Sequence, residues 1–292
     1  MQVLLILNPA AGKKKARTGL CDIVEGFCRA DCQVTVFTTL RAGHAARLAA
    51  EYAPSHDLIV CCGGDGTLNE VVAGLLASGC PKPLGYIPAG TTNDFAASLR
   101  LPRNMAKATE AILKGAPHQL DAGIFNDRYF VYIASFGAFT EASYAAPQNA
   151  KNAFGHLAYV LEGLKDLTAI RPFPMTVEAD GRCYEGPFLF GSVSNTTSIG
   201  GMVKLPPALV EMGDGRLEVL LIRPPQNAGE LTRILQCLQK QAYDGELVNL
   251  FQTASLDVQC PEPFSWSLDG ERAEGGKQLH IRCLPHAVTL IK

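Results

Sequence analysis

The sequence predicts an α/β domain on a parallel sheet followed by a β-rich domain. Three observations carry this. Short apolar runs alternate with helical periodicity through the first 120 residues. Gly-rich turns close three of those runs. From about Asp121 onward, strand follows strand across Asn-Asp and Asp-Gly turns.

The elements follow in order. Residues 2–7 are continuously apolar, as expected of a strand buried on both faces, and lead into the turn Asn8-Pro9-Ala10-Ala11-Gly12. Residues 17–30 place Leu20, Ile23, Val24 and Phe27 at helical spacing. A strand over 33–37 and a helix over 43–52 come next. A buried strand over 57–62 precedes Gly63-Gly64-Asp65-Gly66 and a helix over 67–76. A short β-like run over 84–87 ends at Pro88. In the second half, strands over 123–125 and 128–135 flank Asn126-Asp127. A helical stretch occupies 153–169. Strands over 175–179 and 182–194 flank Asp180-Gly181, and another covers 216–222. An amphipathic helix spans 226–242, with Leu231, Ile234, Leu235 and Leu238 on one side. Strands over 250–258, 264–268, 278–283 and 287–291 close the chain.

Composition narrows the function. The chain has 292 residues, 47% hydrophobic and 18% charged, enough to bury a core. A formal net charge of −2 argues against a dedicated nucleic-acid binder, which needs basic excess to release counterions. No apolar run approaches the roughly 20 residues that span a bilayer, and the N-terminus lacks the basic segment of a signal peptide. The ten cysteines form no Cys-x-x-Cys pair, so reduced thiols in a cytoplasmic protein are expected.

The chemistry concentrates in three turns. Gly63-Gly64-Asp65-Gly66-Thr67-Leu68-Asn69-Glu70 lies between a strand and a helix. There glycine lets backbone N–H groups approach a phosphate, and the helix start favours its charge. Thr67 reads as an N-cap or a phosphate contact. Asp65 would repel an anion unless a cation intervenes, which points to a Mg²⁺–nucleotide. No Gly-Lys-Ser/Thr follows, so this is not a Walker A loop. Pro88-Ala89-Gly90-Thr91-Thr92-Asn93-Asp94-Phe95 repeats the strand–turn–helix pattern, with Asn93 and Asp94 as capping or metal-binding groups. The first turn, ending at Gly12, is followed by Lys13, Lys14, Lys15 and Arg17.

Together these elements resemble the diacylglycerol kinase catalytic-domain family, in its soluble bacterial lipid-kinase branch, over essentially the whole chain. The family's opening Asn-Pro turn ending in Gly stands at positions 8–12, with Ala11 at a variable spot. Its Gly-Gly-Asp-Gly-Thr-x-Asn-Glu and Gly-Thr-x-Asn-Asp-Phe-Ala elements are complete at 63–70 and 90–96. Asp121, Asn195, Gly200-Gly201, Pro206, Asp214-Gly215, Leu217 and Leu268-Asp269-Gly270-Glu271 match further blocks. Met202 departs where many relatives carry a third glycine.

The resemblance implies a NAD kinase/phosphofructokinase-like α/β domain over 1–122, rejoined by 284–292, and a β-sandwich lipid-substrate domain over 123–283. It implies that ATP binds between the two and that a lipid hydroxyl is phosphorylated. Asn8, Pro9, Gly12, Thr39, Gly63, Gly64, Asp65, Gly66, Thr67, Leu68, Asn69, Glu70, Thr91, Asn93 and Asp94 would form the nucleotide site. Asp65, Asp94 and Asp121 would organise Mg²⁺ and its waters. A structural Mg²⁺ would sit at Asp214 with the carbonyls of Glu211 and Arg216. Asp269 or Glu271 would accept the hydroxyl proton; spacing leaves that choice open, since the two share a face on a strand but not in a turn. The implied partner is a lipid at a membrane surface, reached peripherally from the cytoplasm. A homodimer is a further expectation, with no interface legible. The alternatives are an NAD kinase, whose separate Asn-Glu segment is not found here, and a non-catalytic nucleotide or lipid sensor. Which lipid is phosphorylated is not written in the sequence.

Overall fold

A computed structural model describes residues 1–91, 93–137, 171–199 and 203–292, apart from the side chains of Lys13, Lys14 and Lys15. The helix expected over 153–169, Thr92 and the segment Gly200-Gly201-Met202 lie outside the described residues. The chain forms two compact units, Met1–Ala122 with Pro285–Lys292, and Gly123–Leu284.

The first unit contains β1 (Gln2–Leu7), α1 (Ala11–Thr18), α2 (Leu20–Cys28), β2 (Gln33–Thr38), α3 (His44–Tyr52), β3 (Leu58–Gly63), α4 (Asp65–Ala77), β4 (Leu84–Pro88), α5 (Asp94–Ser98), α6 (Met105–Lys114) and most of β5 (Pro117–Phe125). Its parallel strands stand in the order β2-β1-β3-β4. β1, β3 and β4 are almost wholly buried, which explains their uninterrupted apolar sequences. Ile23 and Phe27 of α2 and Ala108 and Ile112 of α6 pack with Val3, Leu5 and Val60 in one core. Cys61 and Cys62 are fully buried in β3 as small apolar residues. Burial holds both thiols protonated, pushing Cys62 up to about 12 and Cys61 well above its ordinary value.

The second unit contains β6 (Arg128–Phe130), β7 (Ile133–Gly137), β8 (Phe173–Ala179), β9 (Arg182–Phe188), β10 (Phe190–Ser194), β11 (Ser198–Ile199), β12 (Val203–Lys204), β13 (Leu217–Ile222), α7 (Ala228–Lys240), β14 (Val248–Thr253), β15 (Ser255–Gln259), β16 (Ser265–Leu268), β17 (Glu271–Glu274) and the start of β18 (Gln278–Ile291). One sheet runs β14-β13-β10-β7-β16-β17, and the other orders β18-β15-β8-β9. Their inner faces share one core, where the Trp266 ring lies 4.7 Å from Phe136 and 5.2 Å from Phe125. This is a β-sandwich. Each large side chain so buried contributes about 1.5–3 kcal/mol. The end of β18 returns to the first unit, where Leu290 pairs with Leu84 of β4.

Several boundaries differ from the sequence expectation. The helix over 17–30 is two helices broken at Gly19, which provides no side-chain cap. The expected loop through Gly12 closes early, because Asn8 Oδ1 accepts the Ala10 N–H at 3.0 Å and α1 starts at Ala11. The helix expected from Thr67 starts at Asp65, with Gly64 as N-cap; Thr67 lies inside the first turn and is not the cap. Gly63-Gly64 already make the turn, and an acidic residue suits the first helical position. The strands expected over 182–194 and 250–258 each break, at Leu189 and Ala254, where the chain passes from one sheet to the other. The two final strands are one, carried through Pro285-His286 with His286 at φ 53°. Among the described residues no helix is long and apolar enough to cross a membrane.

Candidate active site

In the first unit β1 and β3 are neighbours, and the chain leaves β1 toward β2 but leaves β3 toward β4, in opposite directions. Such a reversal opens a crevice beyond the carboxyl ends of the strands. The turns after β1, β3 and β4 meet there. Asn8 N–H donates to Cys62 O at 2.9 Å, and Asn8 Nδ2 donates to Thr67 Oγ1 at 3.0 Å. Ala89 N–H donates to Gly63 O at 2.7 Å. Thr39, just past β2, donates its N–H to Leu7 O at 2.9 Å, so it flanks the same strand ends.

Glycine makes this junction possible at two places. Gly12 adopts φ +53°, and a Cβ there would lie 1.9 Å from the Ala89 carbonyl oxygen. Gly90 packs on Gly64 so closely that its Cβ would fall 2.6 Å from the Gly64 Cα. Gly12→Ala is therefore expected to destabilise the chain by more than the about 1–2 kcal/mol of left-handed strain alone, because the Ala89 turn must also move. Urea unfolding of the variant checks this.

The acidic residues of the three turns hold backbone. Asp65 accepts the Asp94 N–H on Oδ2 at 3.0 Å and the Phe95 N–H on Oδ1 at 3.3 Å, capping α5. Burial raises the Asp65 carboxyl above its ordinary value, and those two amides, with the Tyr86 hydroxyl and the Asn93 amide, oppose the rise. Glu70 grips the start of α3, accepting the N–H groups of Gly43 and Ala45 at 2.9 Å each. Asn93 sits at φ 54° and closes the Gly90 turn, accepting the Gly90 N–H at 2.9 Å and donating to its carbonyl at 2.8 Å. Asn69 is buried, and its Oδ1 has no hydrogen-bond partner. Pro9, Gly64, Gly66 and Thr91 retain exposure along the turns, whereas Leu68 packs inward. Asp121 is completely buried in β5, its Oδ1 accepting the His286 N–H at 2.7 Å.

In the second unit the Asp269-Gly270 pair is a turn, with φ of 49° and 90°. The two acidic candidates therefore do not share a strand face. Asp269 is 3% exposed, and its carboxylate accepts the N–H groups of Val131, Tyr132 and Ile133 at 2.6, 3.1 and 2.8 Å. This explains why the strand expected over 128–135 is interrupted at Val131-Tyr132: their amides turn to Asp269. Glu271 opens β17 opposite Leu268, exposed to solvent. Glu211, Asp214 and Arg216 occupy one turn. There Asp214 N–H donates to Glu211 O at 3.3 Å, and Asp214 Oδ1 accepts the Arg216 N–H at 2.9 Å. The Arg216 guanidinium pairs with Asp180 at 2.8 Å. Among the described residues no group of three or more His, Cys, Asp or Glu side chains could hold a metal ion.

One contributor escapes sequence reasoning. Tyr86, on buried β4, donates its hydroxyl toward Gly63 O at 3.3 Å and Asn93 Oδ1 at 3.5 Å, tying two turns together. Its sequence context is that of a core aromatic, so nothing in the pattern marks it.

Residues 2–125 match the family described as Diacylglycerol kinase catalytic domain. Residues 133–292 match the YegS C-terminal NAD kinase beta sandwich-like domain. The chain is 34% identical over 270 residues to a diacylglycerol kinase of Bacillus subtilis (strain 168), covering 91% of this chain and 88% of that one. It is 30% identical over 276 residues to a diacylglycerol kinase of Staphylococcus aureus (strain bovine RF122 / ET3-1), covering 94% and 86%. A crystal structure of a diacylglycerol kinase from Bacillus anthracis str. Sterne superposes with a TM-score of 0.76 at 25% identity, covering 99% of this chain and 96% of that one.

Proposed function

The chain belongs to the diacylglycerol kinase catalytic-domain family, and from that premise we propose that it is an ATP-dependent kinase acting on a lipid hydroxyl, with a diacylglycerol-like acceptor. The observation that carries the reading is the junction of three glycine turns at the ends of β1, β3 and β4. It places exposed backbone and the start of α4 in one crevice. Phosphoryl transfer needs charge stabilisation and alignment more than covalent help, and such a crevice supplies both.

The nucleotide site comprises Asn8, Pro9, Gly12, Thr39, the turn from Gly63 to Glu70, Thr91 and Asn93. Within it Glu70 and Asn93 act by holding backbone. The donors suit a Mg²⁺ that arrives with the phosphates, because this ion keeps several waters and takes one or two carboxylates rather than a protein cage. Asp65, Asp94 and Asp121 would meet it through those waters, since the Asp65 oxygens already hold two amides. When bound, the ion neutralises phosphate charge. A structural Mg²⁺ at the turn of Glu211, Asp214 and Arg216 belongs to the same proposal.

The proton acceptor is Glu271. The Asp269 carboxylate already accepts three backbone N–H groups and has little capacity left for a substrate proton. A lipid hydroxyl loses its proton only as the new P–O bond forms, so a carboxylate with free oxygens suits the task. The acceptor lies in a membrane, so access is peripheral and transient.

Phosphate transfer from labelled ATP to a panel of lipids in mixed micelles, with NAD alongside, tests the reading. Labelled diacylglycerol or a related lipid is expected. Labelling of NAD alone would refute it, and ATP binding with no transfer would favour a sensor.

A further inference from the structure

Tyr86 is 2% exposed on β4, in register with the fully buried Cys61 of β3. Its ring meets Phe95 of α5 edge-on, with centroids 6.1 Å apart and planes at 65°. A phenylalanine would fill this place equally well. The hydroxyl is therefore the feature to explain, because a polar group taken out of water costs free energy unless it finds partners.

The hydroxyl finds its partners at the glycine turns. It lies 3.3 Å from Gly63 O in the turn after β3 and 3.5 Å from Asn93 Oδ1 in the turn after β4. It also acts on the Asp65 carboxyl, opposing the rise that burial causes there. One proton thus faces three acceptors, which explains separations longer than the roughly 2.8 Å of an undivided O–H···O bond. Each acceptor holds another donor as well. Gly63 O takes the Ala89 N–H at 2.7 Å, and Asn93 Oδ1 takes the Gly90 N–H at 2.9 Å. Asp65 takes the N–H groups of Asp94 and Phe95. These bonds either cross between the two turns or close the second upon itself. The phenol joins them to the interior of the sheet.

We infer that Tyr86 is a positioning residue for phosphoryl transfer, its hydroxyl fixing the turn after β3 against the turn after β4 and so the place of the phosphates relative to Asp65. The inference rests on the kinase reading above. Gly64 and Gly90 allow the two turns to touch backbone to backbone, but they carry no side chains that interlock. Contact of that kind resists compression and not sliding, whereas a hydrogen bond has a direction. A displacement of about 1 Å can lower a rate by about 10²-fold, so a tether matters even without touching the ligand.

Tyr86→Phe keeps the ring and its contact with Phe95. No acceptor loses its last donor, so the unfolding midpoint should fall by no more than about 4 °C. In the chain without nucleotide, the amides of Ala89, Gly90, Asp94 and Phe95 should exchange with solvent about tenfold faster, as one lost hydrogen bond allows. Those of β1 should keep their rates. Turnover at saturating ATP and lipid should fall about 10–100-fold, with the KM for lipid unchanged. Thr109→Val is the control. Thr109 is another buried hydroxyl of the first unit, donating to Met105 O at 2.9 Å within α6 and packed on Gly26. This variant should lose comparable stability and keep both turnover and exchange at the turns. Normal turnover in Tyr86→Phe overturns the inference, as does unchanged exchange at the turns or an equal loss of turnover in both variants. Absence of transfer by the wild-type chain refutes the kinase reading instead, and the exchange rates then judge the tether by themselves.

Discussion

Glu271→Gln is expected to lower turnover by about 10²–10⁴-fold, the usual contribution of a positioned general base, while leaving the unfolding midpoint unchanged. The glutamine keeps size and hydrogen bonding and loses only the ability to accept a proton. The side chain is exposed at the start of β17, so folding does not depend on it. The neighbouring carboxylate should behave in the opposite way. Asp269→Ala strips the partner from three N–H groups of Val131, Tyr132 and Ile133. Each buried donor left unsatisfied costs about 1–3 kcal/mol, so this variant should lose stability first and activity as a consequence. Thermal melts and single-turnover transfer on both variants separate the two roles. Normal turnover by Glu271→Gln would return the proton to Asp269.

Asp65→Asn should reduce Mg²⁺-dependent transfer by about 10–100-fold, the range for a group that holds a metal through its outer shell. It should also change the pH dependence of stability. Burial raises the folded-state carboxyl of Asp65 above its unfolded value. The protonated form is thus favoured by folding. This contribution is fully present below the ordinary carboxylate range and is lost as pH rises through the raised value. The asparagine does not titrate, so the fall in stability over that window should shrink in the variant. Urea unfolding at stepped pH, without divalent cations, measures the difference. An unchanged slope would mean that Asp65 ionises freely, and unchanged transfer would remove it from the metal's surroundings.

Much of the first unit was legible because its signals are local. A strand buried on both faces must be apolar throughout, so β1, β3 and β4 announce themselves. A turn with glycine at fixed places before a helix points to phosphate. The second unit was less legible. Its strands change sheets at Leu189 and Ala254, and no local pattern distinguishes a continuing strand from one that crosses a sandwich. The break at Val131-Tyr132 depends on a carboxylate 136–138 residues away. β18 runs through a proline that sequence rules read as a terminator, because Asp121 receives the N–H of His286 at the irregular point.

The sequence by itself determined the α/β and β-rich halves, the three glycine turns and the acidic motif ending in Glu271. These depend on neighbours along the chain: periodicity, turn chemistry and residue type. Only the tertiary structure decided what each carboxylate does. Asp65 caps α5, Glu70 holds α3, Asp121 secures β18 and Asp269 gathers three amides, while Glu271 stays exposed. A carboxylate has the same composition in every role. Its task is set by which donors the fold brings to it, and most of those donors come from distant parts of the chain.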